Sequence, residues 1–208
     1  MSTPVILALT AGEPAGIGPE LCLQLATGSR DAGLVVIASR ELLRDRASQL
    51  GLLVELHDWQ PGVVADTRGG HLSVWHVEGC GSTMAGQLDK GNSQYVLDTL
   101  TIAARGCLSG DFDGMVTAPV HKGVINEAGI AFSGHTEFLQ ALCGVERVVM
   151  LLAPEELRVA LVTTHLPLKA VSADITTDRL TQVQTIHAPE LTPLFGISQP
   201  ASTEPAPA

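Results

Sequence analysis

Residues 10–20 read TAGEPAGIGPE and directly follow the apolar, β-branched run Val5–Leu9. Pro19 suits the first turn of a helix, where its missing N–H would have no partner in any case. The stretch therefore predicts a strand, a glycine-rich loop and a helix, and free N–H groups in such a loop can bind an anion. A tight turn that only packs strand against helix is the alternative interpretation of the glycines. Glu13 is a polar side chain that such a turn would not require.

The loop matches neither common nucleotide-binding fingerprint. Gly16 and Gly18 are followed by Leu21, where a dinucleotide-binding loop has a third Gly or Ala. A Walker loop would need Gly-Lys-Ser/Thr, which does not follow. The glycines alone therefore do not predict a nucleotide site.

Predicted strands and helices alternate along the rest of the chain. Apolar, β-branched runs predict further strands at 34–38, 72–77, 115–120, 148–153 and 158–164. Apolar residues at helical spacing predict helices at 20–26, 40–50 and 94–107, and a polar helix is expected at 176–191. This alternation indicates an α/β fold with a largely parallel sheet. The last two strands flank a short polar turn at 154–156, which predicts an antiparallel hairpin near 148–164.

The composition argues against several classes of partner. The 208 residues include 22 acidic and 12 basic side chains, a net charge of −10, and only 3% are aromatic. Such a surface repels phosphate backbones and anionic lipid and offers little on which bases could stack, so neither a nucleic-acid nor a membrane partner is expected. Only 16% of residues are charged, against about 25% in an average soluble protein, which favours a subunit interface.

The sequence also favours a cytoplasmic location. No apolar run approaches the roughly 18 residues of a membrane span, and no basic segment precedes the first apolar stretch as in a signal peptide. The cysteines are widely scattered and form no C-x-x-C pair, so they are expected to be free thiols: Cys22, Cys80, Cys107 and Cys143.

Two further segments place polar groups where an anion could bind. His121 and Lys122 follow a predicted strand, and ligands of open α/β sheets collect at the carboxyl ends of strands. His135 and Thr136 lie where a loop passes into a predicted helix, beside N–H groups that would be free to hold a phosphate. The alternatives are a solvated Lys beside a surface His for the first pair and an ordinary N-cap for Thr136.

One histidine is a candidate metal ligand. His165 closes a predicted strand immediately before a turn, where a neutral imidazole can face a cleft and bind a metal ion. The alternative is a core histidine whose ring is satisfied by its neighbours. The remaining histidines show no metal-ligand spacing; His71 and His76, for example, would face opposite sides of one strand.

Taken in order, these segments resemble the 4-hydroxythreonine-4-phosphate dehydrogenase family of vitamin B6 biosynthesis. The matching stretches are TAGEPAGIGPEL at 10–21, VTAPVHKGVINEAGIAFSGHTEFL at 116–139 and EELRVALVTTHLPL at 155–168. The resemblance runs from about residue 4 to about residue 197, and the long middle stretch makes it specific.

The resemblance implies a fold like that of isocitrate and isopropylmalate dehydrogenases, a two-domain α/β/α architecture around a cleft, with the active site completed across a homodimer. It implies NAD- or NADP-dependent oxidation of 4-phosphohydroxy-L-threonine. Decarboxylation to 3-amino-2-oxopropyl phosphate would follow, in pyridoxal 5'-phosphate biosynthesis. A divalent metal ion (zinc, magnesium or cobalt) would serve as the Lewis acid.

By the same resemblance, His135 and Thr136 bind the phosphorylated amino-acid substrate and His165 supplies one metal ligand. Glu13, His121 and Lys122 are further candidates for lining the cleft.

Departures from the family pattern lead us to expect a truncated form of this architecture. The Asn-Pro-His-Ala-Gly and His-Asp-Gln-Gly segments, which would bring the other two metal histidines, are absent from the sequence. We expect a first α/β domain at 1–130, the start of a second at 131–197 and a disordered Pro/Ala/Ser tail at 198–208, with dehydrogenase activity impaired. Two alternatives stay open: a paralogue acting on threonate or erythronate 4-phosphate, and a non-catalytic remnant that serves as a binding or dimerisation module.

Overall fold

Five parallel strands form the central sheet of the protein in a computed structural model that describes residues 5–154 and 157–197. Their order across the sheet is β3-β4-β2-β1-β5. The strands are β1 (Ile6–Thr10), β2 (Gly33–Ala38), β3 (Glu55–Asp58), β4 (His71–His76) and β5 (Gly114–Thr117). The predicted α/β class with a parallel sheet is therefore confirmed. Strand β3 was not predicted, because its sequence, ELHD, contains a single apolar residue.

Five helices accompany this sheet. They are α1 (Gly18–Leu25), α2 (Arg40–Leu50), α3 (Ser93–Ser109), α4 (Lys122–Glu127) and α5 (His135–Cys143). The ends of α2 follow from its sequence, because the Ser39 hydroxyl accepts the N–H of Leu42 at 3.3 Å and Gly51 ends the helix in the left-handed conformation, at φ 65°. None of the helices in the described ranges is long and apolar enough to cross a lipid bilayer.

The helices cover both faces of the sheet. In β2, Val35 and Ile37 pack into one buried cluster together with residues of α3, such as Leu100. Val36 lies on the opposite face, in a second cluster that includes Leu23 of α1 and others from α2. Alternate side chains of a strand point to opposite faces, so each apolar residue of β2 has a helical layer to pack against. The result is a three-layer α/β/α arrangement.

The connections after β1 and β5 leave on opposite faces of the sheet. Helix α1, which follows β1, packs on one face, whereas Ile125 of α4, which follows β5, belongs to the cluster on the other face. These two strands are neighbours, paired from Leu7 with Gly114 to Thr10 with Thr117. In open α/β sheets a crevice opens at the carboxyl ends of such a strand pair, and ligands bind there. At the amino end of the same strand pair, the Asp113 carboxylate accepts the N–H of Ile6 at 2.7 Å.

The chain divides into two compact units, the first ending at Cys143 and the second beginning at Gly144. The second unit contains β6 (Met150–Leu152), β7 (Val159–Leu161), α6 (Leu168–Asp174) and α7 (Thr177–Phe195). The expected hairpin is present, because β6 and β7 pair antiparallel, although both strands are shorter than predicted. The Thr176 hydroxyl accepts the N–H of Arg179 at 3.2 Å and so caps the helix predicted from residue 176.

Several expectations are not tested by the structure. Turn residues 155–156 and the expected disordered tail at 198–208 lie outside the described residues. The domain division into 1–130 and 131–197 stays a prediction.

Candidate active site

The glycine-rich loop after β1 packs directly against the segment that follows β5. Gly12 has a φ of 68°, and a side chain there would overlap the carbonyl oxygen of Pro119. A side chain on Gly18 would overlap the carbonyl oxygen of Ala11 and lie 2.8 Å from the Cβ of Ala118. Both glycines are therefore required by close approach of backbone, and the first two segments singled out in the sequence form one structure at the crevice.

Glu13 shapes this loop from within. Its side chain is 5% exposed, and its Oε1 accepts the N–H of Ala15 at 3.1 Å. Its own N–H donates to the Pro119 carbonyl at 2.9 Å. The buried guanidinium of Arg46 on α2 donates to the Pro14 carbonyl at 3.1 Å and holds the loop from the other side. The tight-turn interpretation thus accounts for one carboxylate oxygen of Glu13, whereas its role in lining a cleft stays a prediction.

His121 caps the helix that follows β5. Its Nδ1 accepts the N–H of Val124 at 3.1 Å, so the proton of the neutral ring is assigned to Nε2. The ring is exposed, which agrees with the alternative interpretation of His121 as a surface histidine. His121 therefore fixes the start of α4 and with it the position of Lys122, the first residue of that helix.

Lys122 and Glu137 flank the start of α5. A Cβ placed on Gly134 would lie 3.2 Å from Nζ of Lys122 and 3.1 Å from Oε2 of Glu137. The Gly134 carbonyl accepts the N–H of Phe138 at 3.1 Å, which makes Gly134 the N-cap of α5 and rules out the N-cap interpretation of Thr136. Thr136 is half-buried in the first turn. An ammonium group, a carboxylate and the first N–H groups of a helix therefore lie together.

His135 presents a buried nitrogen without a hydrogen-bond partner among the described residues. This atom is Nε2, and the ring packs edge-on against Phe132 with the ring centres 6.2 Å apart. Burial, and secondarily the charge of Lys122, lowers the pKa of His135 below its usual value. The imidazole is therefore neutral at pH 7, and its orphan nitrogen is available to a ligand.

Asn126 positions this corner of the site, and motif reasoning did not find it. Its side-chain amide donates to the Lys122 carbonyl at 2.8 Å and to the Phe132 carbonyl at 2.9 Å, while its oxygen accepts the N–H of Phe132 at 3.1 Å. These bonds tie the loop before α5 to α4. An Asn in the middle of VINEAG, just before a glycine-containing turn, is the only signal for this in the sequence.

His165 lies in the second unit and has an unusual backbone. It is exposed, which rules out the interpretation as a core histidine. Its φ is 55°, and among the described residues no other non-glycine residue has a positive φ. The left-handed conformation is costly for most side chains, though His tolerates it better than bulky or branched ones, and such strain concentrates at functional sites. Its role as a metal ligand stays a prediction.

The model of the family described as "Pyridoxal phosphate biosynthetic protein PdxA" matches residues 30–203. The chain belongs to this family. The resemblance seen in the sequence is thereby confirmed, and the PdxA match includes the segments around Lys122, His135 and His165.

Individual relatives of known name support the same family assignment. The chain is 86% identical over 200 residues to the 4-hydroxythreonine-4-phosphate dehydrogenase of Marinobacter nauticus, covering 96% of this chain and 60% of that protein. It is 55% identical over 199 residues to the enzyme of the same name from Pseudomonas syringae pv. tomato, covering 95% and 60%.

A crystal structure of 4-hydroxythreonine-4-phosphate dehydrogenase from Klebsiella pneumoniae matches with a TM-score of 0.85 at 25% identity, covering 96% of this chain and 61% of that one. The isocitrate dehydrogenase-like fold class is therefore confirmed. The chain spans about 60% of the length of the PdxA relatives it matches.

Proposed function

We propose that this chain carries part of the active site of a 4-hydroxythreonine-4-phosphate dehydrogenase. The reaction is the NAD- or NADP-dependent oxidation of 4-phosphohydroxy-L-threonine, followed by decarboxylation to 3-amino-2-oxopropyl phosphate in pyridoxal 5'-phosphate biosynthesis. The observation that carries the proposal is the 86% identity over 200 residues to the Marinobacter nauticus protein of that name.

The corner formed by Lys122 and the start of α5 supports an anionic substrate. The first N–H groups of a helix lack intrahelical partners and favour negative charge, and the Lys122 ammonium lies beside them together with the Glu137 carboxylate. The neutral ring of His135 can form a hydrogen bond with a substrate oxygen through Nε2 without adding charge. In this proposal Lys122 and the helix N–H groups hold an anionic group of the substrate, while His135 and Thr136 orient it.

In the proposed active site, His165 is the residue that would bind the divalent metal ion. Its imidazole is exposed, and its backbone lies in the left-handed region. When bound, zinc, magnesium or cobalt would polarise the substrate oxygens during oxidation and decarboxylation. A single imidazole does not hold such an ion, so further ligands must join His165, and we expect little turnover from the 208-residue chain alone.

A homodimer working in the cytoplasm is the assembly we propose. Exposed apolar side chains on the first unit, among them Met84, Leu88 and Leu108, supply surface that a second subunit could cover.

A chimera tests the proposed reaction. Residues 5–197 replace the matching segment of the Marinobacter nauticus relative, and NADH or NADPH formation is followed with zinc, magnesium or cobalt present. We expect oxidation of 4-phosphohydroxy-L-threonine at a rate comparable with that of the relative, a raised KM in H135Q, loss of turnover in H165A and no change in H187Q. A chimera that prefers threonate or erythronate 4-phosphate would identify the paralogue instead, and one that folds but is inactive would favour the non-catalytic module.

A further inference from the structure

A cluster of metal-ligand side chains lies at the edge of the sheet opposite to β5. Nε2 of His57 lies 2.8 Å from Nδ1 of His71, and the two ring planes are inclined by 20° with their centres 5.1 Å apart. The Glu55 carboxylate lies 3.9 Å from the His57 nitrogen and 3.7 Å from the His71 nitrogen. The cluster is at the amino ends of β3 and β4, whereas the candidate active site is at the carboxyl ends of β1 and β5.

Strand register creates this cluster. In the parallel pair β3–β4, Glu55 is opposite His71 and His57 is opposite Ser73. Residues two apart in a strand share a face, and directly paired residues of parallel strands do so as well. Glu55, His57 and His71 therefore point to the same side of the sheet, although the two histidines are 14 positions apart in sequence.

A candidate fourth ligand, a carboxylate oxygen of Asp66, lies close by on a restrained loop. Oδ2 of Asp66 lies 4.0 Å from each of the two histidine nitrogens. The Asp66 N–H donates to the Ser73 hydroxyl at 2.9 Å, and the Asp66 side chain is paired with Arg68. Arg30 donates from one nitrogen, Nη2, to the carbonyls of Asp66 at 3.0 Å and His71 at 2.8 Å. The loop and β4 are thus clamped together by one guanidinium.

We propose that Glu55, His57 and His71 form a binding site for a divalent transition-metal ion, with Asp66 or water in the fourth position. Two imidazoles and one carboxylate form a donor set typical of Zn²⁺, whereas Mg²⁺ and Ca²⁺ prefer oxygen ligands alone. The three ligand atoms all lie within 4.8 Å of one another. The site would link the edge strand β3 to β4.

Binding requires the two rings to separate slightly and to turn, because their nitrogens now point at each other in a hydrogen bond and both lone pairs must point at the ion. Tetrahedral Zn²⁺ with Zn–N bonds of about 2.0–2.1 Å places two ligand nitrogens about 3.3 Å apart. The present separation of 2.8 Å corresponds to a hydrogen bond between two rings that share one proton. The side chains of His57 and His71 are 33% and 23% exposed, so both have room to separate by that amount.

Metal titration of the full 208-residue chain tests this site. Zn²⁺ binding is measured by equilibrium dialysis, and Co²⁺ is added as a spectroscopic probe of tetrahedral nitrogen ligation. We expect H57Q/H71Q to lose one bound Zn²⁺ per chain together with the corresponding Co²⁺ absorption, and E55Q to weaken binding on the order of tenfold or more. H187Q, on α7, is the matched histidine control and should keep the site.

H165Q separates this site from the metal position proposed for the active site. Zn²⁺ binding that H57Q/H71Q leaves unchanged, or that only H165Q removes, would overturn the proposal. Thermal unfolding in EDTA shows whether each variant folds. If H57Q/H71Q does not fold, E55Q is decisive, because the Glu55 side chain is 68% exposed and unchanged Zn²⁺ affinity in that variant contradicts the site.

Discussion

The backbone N–H of Glu13 donates to the carbonyl oxygen of Pro119 over 2.9 Å and so joins the loop after β1 to the loop after β5. Two of the segments that identified the family in the sequence are therefore one structural element. Close approach of the two backbones, enforced by Gly12 and Gly18, makes this junction possible.

Substituting Gly18 by Ala should destabilise the first unit strongly. The new methyl group would overlap the carbonyl oxygen of Ala11, and overpacking against backbone that cannot move aside should lower the free energy of unfolding by about 3 kcal/mol or more. Gly28 is the matched control, because nothing lies within 4 Å of a Cβ placed there, and G28A should change stability by less than about 1 kcal/mol. Urea unfolding followed by circular dichroism measures both, and equal stabilities would contradict the packing described here.

His135 should titrate below its usual pKa, and Lys122 should account for the smaller part of the shift. Burial is the larger cause, so K122Q should raise the pKa of His135 only part of the way back. K169Q, in the second unit, is the control and should have no effect. The measurement is an NMR titration of the His135 ring, and a pKa at or above about 6.5 in the parent chain would refute the assignment.

The same shift predicts a direction for stability against pH. Because the folded state holds the His135 proton less tightly than the unfolded state, the unfolded state binds more protons between the lowered pKa and about 6.5. The contribution of His135 to the free energy of unfolding is therefore complete above about pH 6.5 and is lost as the pH falls through that window. H135Q should show a shallower loss of stability there in urea unfolding at a series of pH values. A slope identical to that of the parent chain would contradict the prediction.

The four thiols should react with very different rates. Cys143 is exposed, whereas burial raises the pKa of Cys22 to about 12 and, with nearby carboxylates, that of Cys80 to about 11. A disulfide reagent such as DTNB should therefore modify Cys143 first and Cys22 only on unfolding. C143S should abolish the fast phase of the reaction, and C22S should leave it intact. A fast phase lost in C22S and kept in C143S would contradict the exposed position of Cys143 and the buried position of Cys22.

Arg30 should be worth more to stability than an ordinary surface arginine. Its guanidinium donates to the carbonyls of Leu25, Gly28, Asp66 and His71, which no other side chain replaces when R30M removes it. Charge-assisted hydrogen bonds of this kind imply a loss of roughly 2–4 kcal/mol in the free energy of unfolding. R44M is the control, since Arg44 is 59% exposed and its contact with Glu41 spans 3.9 Å, and it should cost less than about 1 kcal/mol. A similar result for both variants would contradict the clamp.

The sequence predicted most of the central sheet, whereas its site residues stay predictions. Runs such as 34–38 are buried on both faces and therefore appear in the sequence as continuous apolar strands. The contact between the loops after β1 and β5 was not predicted, because it depends on the pairing of these two strands. The capping role of His121 and the positioning role of Asn126 were not predicted, because each depends on the short helix α4, whose KGVINE sequence is too brief to show a period.

The histidine pair at β3–β4 could not be predicted from the sequence, for a different reason. Glu55 and His57 belong to a four-residue edge strand with a polar sequence, which carries little strand signal. Without that strand no register exists, and His57 and His71 have no spacing that indicates a metal site. His76, whose ring was expected on the opposite side of the strand from His71, accepts the N–H of Arg40 at 3.1 Å.

The pairing of β1 with β5 sets an order of assembly during translation. Ile6 and Asp113, joined at the start of this pair, are 107 positions apart. Among the five strands of this sheet, β1 is made first and β5 last. The other three strands of the sheet are synthesised in between, and until Gly114–Thr117 emerges from the ribosome one edge of β1 presents unpaired N–H and C=O groups. The nascent chain is most open to mispairing over this interval, and the arrival of β5 ends it.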